Sequence, residues 1–340
     1  MKQQVMIAPG EIEFRDISIP AVKDDDVLIK MKRIGICGSD IHVYHGAHPY
    51  TFYPVTQGHE ASGRVEKIGK NITHLNAGDK VTIQPQVICG KCYPCTHGKY
   101  HICDNLKVMG FQIPGMASEY FMCEAERVIK LPDDMSYEEG AMIEPVAVAC
   151  GALSKVKAIR GLNIAVLGAG PIGNLMAQVA KALGAQSVLI TDLSDMRLDI
   201  AKEVGIDVTV NPARQNFVEE VAKAFGPAKA DLTIECVGAN STIDAAIESA
   251  RKGTDIILVG VFGEKPTVDL GVVQDHELRL IGTLMYQTQD YLKAIDLVSS
   301  KKVNLAPLMA RHFAFEDYKE AYDYIDREKN KVMKAFIDIS

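Results

Sequence analysis

An apolar run at 164–167 leads straight into Gly168, Gly170 and Gly173, and then into an apolar-periodic segment at 172–183. No other stretch constrains the fold as tightly. The run reads as a buried strand and the periodic segment as a helix, so the glycines mark a strand–turn–helix junction. Gly168 permits the tight turn, Gly170 lets backbone approach a pyrophosphate, and Gly173 lets the helix pack close to the strand. The helix start, around Pro171 and Ile172, offers N–H groups and partial positive charge to phosphate oxygens. A second strand, at 187–191, ends in Asp192. A carboxylate there can bind a ribose 2′-hydroxyl and repels a 2′-phosphate, which favours NAD over NADP. Asp192 could equally cap a helix starting near Ser194, although Ser194 and Asp195 are also good caps. Arg197, one turn on, either reaches the same ribose or stays solvated, and it keeps NADP open.

The chain has 340 residues, which makes two domains the default, and its 47% apolar content is that of an ordinary globular protein. A formal charge of -7 and the lack of a basic block argue against a nucleic-acid partner. No apolar run approaches membrane-spanning length, and the start at Met1 lacks a signal-peptide pattern, so a cytoplasmic protein is expected. In a reducing compartment the eight cysteines need a role other than disulfides.

From Met1 to about Leu131 short β-rich runs, such as 27–31, 63–68 and 80–83, are separated by turn residues at 69–71 and 76–79. From about Ala141 to Gly282 strands alternate with helices. Strands are expected at 163–168, 187–192, 208–210, 230–236, 255–260 and 278–283, with helices such as 217–225 and 241–250 between them. The fold class is therefore α/β, a doubly wound parallel sheet beside a β-rich domain. Val237, Val259, Val261 and Leu284 fall at strand ends, where they either line a nucleotide or simply pack. The tail predicts helices at 289–299 and 315–325, the latter with Phe315, Tyr318, Tyr322 and Ile325 on one face. A last strand at 335–339 is expected to return to the β-rich domain. The expected partition is 1–145 together with 285–340, and 146–284 as the nucleotide-binding domain, joined by two crossings that would make a hinge over a cleft.

Two groups of residues have the chemistry of metal ligands. Cys89, Cys92, Cys95 and Cys103 place four thiols within fifteen residues, enough to close a tetrahedron on a structural zinc. A disulfide pair or an iron–sulfur cluster are the alternatives. The second group is dispersed: Cys37, His59 and one of Glu60 and Glu144 supply the S, N and O donors of an open catalytic zinc site. Each is ambiguous alone, because spacing cannot bring Cys37 to His59. Cys123, Cys150 and Cys236 read as small buried hydrophobes.

The segments GICGSDIH (35–42), GHEASG (58–63), IEPVAVA (143–149) and VLGAGPIG (166–173), with the four-cysteine loop and the Asp192 strand end, resemble the zinc-containing medium-chain dehydrogenase/reductase family over essentially the whole chain. The resemblance implies a GroES-like β fold for the N-terminal domain, with the nucleotide domain inserted before a C-terminal return. It implies that Cys37, His59 and Glu60 bind a catalytic zinc, and that Glu144 either binds it directly or holds its water. Zinc in such a site acts as a Lewis acid toward a substrate hydroxyl while hydride passes to the nicotinamide. Ser39 and His42 match the family relay that carries the proton through the cofactor ribose to a surface imidazole. The plainer reading is that Ser39 or Asp40 caps a short helix and His42 is solvated. The Glu60 and Glu144 pair is similar to polyol (sorbitol-type) and threonine dehydrogenases, since simple alcohol dehydrogenases usually carry cysteine where Glu144 stands. Met285 replaces the arginine of the aromatic-Arg-Tyr triplet often seen in sorbitol-type enzymes, and the segment characteristic of threonine enzymes is not evident.

The implied function is NAD-linked oxidation of a secondary alcohol of a polyol, sugar acid or inositol-like substrate. L-threonine or butanediol oxidation is the alternative, and a non-catalytic NAD- and zinc-binding protein the reading from another class. Tyr44, His45, Phe111, Gln112 and Met285 could shape the pocket. His45, His48, His74, His97, His101, His276 and His312 carry no assigned role, and most are expected at the surface. By the resemblance the protein is a homodimer or homotetramer.

Overall fold

The computed structural model describes residues 1–340, the side chain of residue 330 excepted. The chain forms two units: Met1–Glu144 with Met309–Ser340, and Pro145–Leu308.

The second unit is built on a six-stranded parallel sheet. Its strand order is Val208–Val210, Ser187–Thr191, Asn163–Leu167, Ala230–Glu235, Ala250–Leu258 and Arg279–Gly282. In the unit's own sequence order this is 3-2-1-4-5-6, the doubly wound arrangement. The order reverses beside Asn163–Leu167, so the Gly168 turn leaves the sheet at the switch point where such folds bind ligands. The inner strands Asn163–Leu167 and Ser187–Thr191 carry buried apolar residues on both faces, as cover by helices on both sides requires, while Ala230–Glu235 buries Thr233 and Glu235 on one of its faces. The fifth strand starts earlier than its apolar run suggests, because Ala250 pairs with Ala230 before the register shifts.

The first unit carries a seven-stranded sheet whose central strand is Asp26–Gly35. Glu60–Ile68 lies antiparallel along one side of it. On the other side Tyr120–Glu124 pairs with its first half, and the last strand, Lys334–Asp338, pairs with Arg33, Ile34 and Gly35. Helix Tyr318–Glu328 buries Tyr318 and Tyr322 in the same core as Ile29, Met31 and Ile34, with Phe315 in a preceding 3-10 turn and Ile325 partly buried against it.

Two features differ from the sequence reading. The return begins at Met309 rather than at 285, since the segment 285–308 packs within the second unit. Tyr286 and Tyr291 are fully buried there in an edge-to-face pair, and the Asn304 N–H donates to Gln178 Oε1 at 2.7 Å. Such contacts leave no periodic trace in the sequence. The seventeen-residue helix Tyr137–Leu153 was also not separable by pattern, because it is apolar nearly all round and contains Pro145. Among the described residues no helix is long and apolar enough to cross a membrane.

Candidate active site

The four-cysteine loop is closed by its own backbone. The Cys103 sulfur lies 3.5 Å from that of Cys89 and 3.7 Å from that of Cys92. A tetrahedral zinc with bonds of about 2.3 Å sets sulfurs roughly 3.8 Å apart, whereas a disulfide needs about 2.05 Å. All eight cysteines are free thiols, so the disulfide alternative falls away. Backbone N–H groups of Cys89 and Asn105 point at the Cys103 sulfur and that of Asp104 at Cys92. Backbone N–H groups of Lys91 and Cys92 pull the Cys89 thiol down to about 6, while loss of solvation and the neighbouring Cys92 push Cys95 up to about 12. Cys89 and Cys95 are thus pushed in opposite directions within one loop.

The dispersed group also assembles. Ligand atoms of Cys37, His59 and Glu60 all lie within 4.8 Å of one another, with His59 and Glu60 buried. Cys37 ends the loop after the central strand and caps helix Gly38–Tyr44. His59 and Glu60 come from the start of the neighbouring strand, where Glu60 pairs across from Gly35. Glu144 is buried in the first unit as well, on helix Tyr137–Leu153. His59 Nδ1 is buried, lies 3.4 Å from Asp40 Oδ1 and makes no well-formed hydrogen bond. Burial opposes an imidazolium at His59, yet Asp40 and Cys37 outweigh it and hold the ring above its ordinary value. Bound zinc would instead require the neutral ring. A half-exposed thiol beside a buried imidazole with an orphaned ring nitrogen and a buried carboxylate fits zinc chemistry.

Its surroundings are a polar network. Asp40, in the first turn of the helix, accepts the N–H of the N-cap residue Cys37 at 2.9 Å, so the capping role expected of Ser39 or Asp40 falls to Asp40 as the partner of the cap. The Gln57 amide reaches Asp40 Oδ1 at 3.4 Å and accepts the Tyr322 hydroxyl at 2.6 Å. Ser39 is half-buried two residues after Cys37, and His42 is exposed in the last turn. Phe111 packs tilted against His59, with ring centroids 4.9 Å apart, and stacks on His48 at 4.8 Å. Tyr44 does not line an opening: it is buried against Tyr322 at 4.7 Å, with its hydroxyl on Asp323. His45 pairs with Asp326, His312 with Asp338, and His101 is buried rather than at the surface.

Sequence reasoning missed Lys334. It is 3% exposed, and its Nζ lies 2.6 and 2.8 Å from the two Glu60 oxygens. Burial opposes its charge, but Glu60 and Cys37 outweigh it and raise the Lys334 pKa. The available signal was a single lysine inside the apolar run 332–339, since a buried lysine needs a partner.

In the second unit the turn has the form the motif requires. Gly168 takes φ +98, and a Cβ on Gly173 would sit 1.8 Å from the Gly168 carbonyl oxygen. A Cβ on Gly170, the N-cap of helix Pro171–Ala182, would meet only Arg197 Nη1, at 3.9 Å, and Ile172 is half-buried. Asp192 Oδ2 accepts the Ala169 N–H at 2.9 Å and Oδ1 accepts the Ser194 N–H at 2.8 Å. Its carboxylate thus ties the glycine turn to the start of helix Asp195–Glu203, with Arg197 at 3.5 Å. Val237, Val261 and Leu284 stand 49%, 81% and 56% exposed at the strand ends, and Val259 is half-buried. Cys123 and Cys150 are buried as expected, whereas Cys236 is only half-buried, because it stands at the open end of its strand.

Residues 23–133 match the family model for an alcohol dehydrogenase GroES-like domain, and residues 171–300 that for a zinc-binding dehydrogenase. Sorbitol dehydrogenase 1 of Saccharomyces cerevisiae is 35% identical, covering 96% of this chain and 95% of its own. The D-xylulose reductase of the same organism is 36% identical over 98% and 96%. The crystal structure of galactitol-1-phosphate dehydrogenase from Escherichia coli superposes with a TM-score of 0.92 at 30% identity, covering 99% of this chain and all of that one. The chain belongs to the zinc-containing medium-chain dehydrogenase/reductase family, close to the sorbitol dehydrogenases.

Proposed function

We propose that this protein oxidises a secondary alcohol of a polyol, sugar acid or inositol-like substrate with NAD as hydride acceptor. The observation that carries the reading is the convergence of Cys37, His59 and Glu60 in a chain that also holds the Gly168–Gly173 turn with Asp192 at its side. Cys37, His59 and Glu60 hold the catalytic zinc, with Glu144 buried nearby, and the four-cysteine loop holds a structural one. Zinc in the first site supplies Lewis-acid polarisation of a substrate hydroxyl. Asp40 orients His59 by its position beside the ring. Ser39 and His42 carry the proton outward, His42 being exposed to hand it to water. The turn N–H groups would hold the pyrophosphate, Asp192 and Arg197 the ribose, and Val237, Val259, Val261 and Leu284 would pack against the cofactor.

A polyhydroxy substrate is favoured over threonine or butanediol because the relatives above are named for sorbitol, xylulose and galactitol 1-phosphate. Met285 argues against sorbitol itself. The protein acts in the cytoplasm as a homodimer or homotetramer.

The test is NADH formation by the zinc-loaded protein across polyols, sugar acids, inositols, threonine and butanediol. Highest kcat/KM on a polyhydroxy substrate supports the reading. Turnover confined to threonine or butanediol overturns the substrate class, and no turnover with two zinc ions bound overturns the activity. Asp192→Ala should move the NAD over NADP preference by roughly 10- to 100-fold, the worth of about 1.5–3 kcal/mol for hydrogen bonds to a charged group.

A further inference from the structure

We infer that Lys334 is a positioning residue of the candidate zinc centre: it pins Glu60 and holds that carboxylate back from full commitment to the cation, keeping a coordination place open for substrate. The inference rests on the metal reading proposed above.

Three adjacent strands build the arrangement. Phe336 pairs with Gly35 and Gly35 pairs with Glu60, so Lys334, on the last strand, is carried to the edge of the loop that presents Cys37. The Ile36 N–H donates to the Ala335 carbonyl at 3.0 Å, which locks that loop to the same strand. Lys334 Nζ then donates to both Glu60 oxygens and to the Ile36 carbonyl at 3.2 Å, engaging all three ammonium protons. Gly35 completes the clamp. A Cβ there would lie 2.4 Å from Glu60 Oε2, so only glycine lets the carboxylate rest across the strand.

Charge balance gives the clamp its purpose. A thiolate at Cys37 with carboxylates at Asp40, Glu60 and Glu144 makes four negative charges against two on zinc, and the Lys334 ammonium on Glu60 halves the surplus. Glu60 and Lys334 are almost fully buried, and an interior of low dielectric penalises any net charge left over. A carboxylate whose two oxygens both accept from an ammonium offers a cation less charge than a free one. Without Lys334, Glu60 is free to close on the zinc with both oxygens and to fill the place the substrate oxygen needs.

The experiment measures zinc release to a chromogenic chelator together with steady-state kinetics, for the zinc-loaded wild type, Lys334→Met and Lys334→Arg. Lys334→Met should release the catalytic zinc at least about tenfold more slowly and lose at least about tenfold in kcat, the usual scale for an outer partner of a metal ligand. Lys334→Arg, which keeps the charge, should return both values toward wild type. Release from the four-cysteine loop should be the same in all three, a control that general loosening would not meet. Faster or unchanged release in Lys334→Met overturns the proposal, as does an arginine variant that behaves like the methionine one. If Lys334→Met does not fold, Lys334→Gln carries the same test, since it removes the charge and keeps a donor for Ile36. Two zinc ions in the wild type with unchanged release in the variant refute the clamp alone; one zinc ion in the wild type refutes the metal centre and the clamp with it.

Discussion

The two candidate metal groups of this chain are built in opposite ways. Cys89 to Cys103 is a single loop whose sulfurs are gathered by neighbouring backbone N–H groups. The Cys37, His59 and Glu60 group is gathered by three strands, and its tightest contact joins Glu60 to a lysine 274 residues away. The loop places three of its four sulfurs at the surface or half-exposed, while the strand-built group buries His59, Glu60 and Lys334. A closed set of four like donors can hold a metal and do nothing else. A mixed set of three donors in a largely buried frame leaves a position over, and the frame supplies in Lys334 a positive charge that offsets the surplus of carboxylates. Position in the fold, rather than ligand type alone, separates a staple from a reaction centre.

The sharpest way to break this comparison is to remove one ligand from each group. Cys37→Ala should lose one zinc ion and on the order of a thousandfold in kcat/KM, since Lewis-acid stabilisation is worth several kcal/mol. Its Tm should change little, because the strands around it are held by the core that contains Ile29, Met31 and Ile34. Metal analysis, kinetics and thermal melting read the three quantities, and retention of turnover would assign the chemistry elsewhere.

Cys95→Ala should do the reverse. It should also lose one zinc ion, yet the fraction that stays folded should turn over as before, while Tm falls by about 10 °C if the loop metal contributes about 3 kcal/mol. A melting temperature equal to wild type would show that the loop needs no metal. A loss of turnover as deep as in Cys37→Ala would end the distinction between the two groups.

The same contrast explains what could be read in advance. The four-cysteine loop was legible because its ligands are local, and the Gly168–Gly173 turn because each glycine answers to a steric demand that Gly168 and Gly173 still show. Strands such as Val208–Val210 and helices such as Phe217–Phe225 follow directly from alternation and apolar spacing. Bringing Cys37 to His59 and Glu60 needed the family likeness, because the pairing of Gly35 with Glu60 is a property of the sheet and not of either segment. Lys334 escaped notice for the same reason: nothing near it in the chain is its partner. The boundary at Met309 escaped because Tyr286, Tyr291 and Asn304 are committed to the second unit by tertiary packing alone.

The smallest effect is also the most local. In protein stripped of metal, the Cys89 thiol lies near 6 and the Cys95 thiol near 12, though they sit in one loop. A lowered thiol is thiolate above its own value, so Cys89 is reactive at pH 7.5 and loses reactivity as the pH falls through about 6. A raised thiol is protonated until the pH approaches its value, so Cys95 stays inert across that range. Iodoacetamide labelling at pH 7.5, read by peptide mass spectrometry, should therefore modify Cys89 faster than Cys95 by at least about a hundredfold, because the thiolate is the nucleophile. Zinc added first should protect both, since both sulfurs become ligands. If Cys95 is labelled first, the backbone N–H groups of Lys91 and Cys92 do not set the order of deprotonation. The loop's readiness for metal would then come from the metal itself and not from the chain.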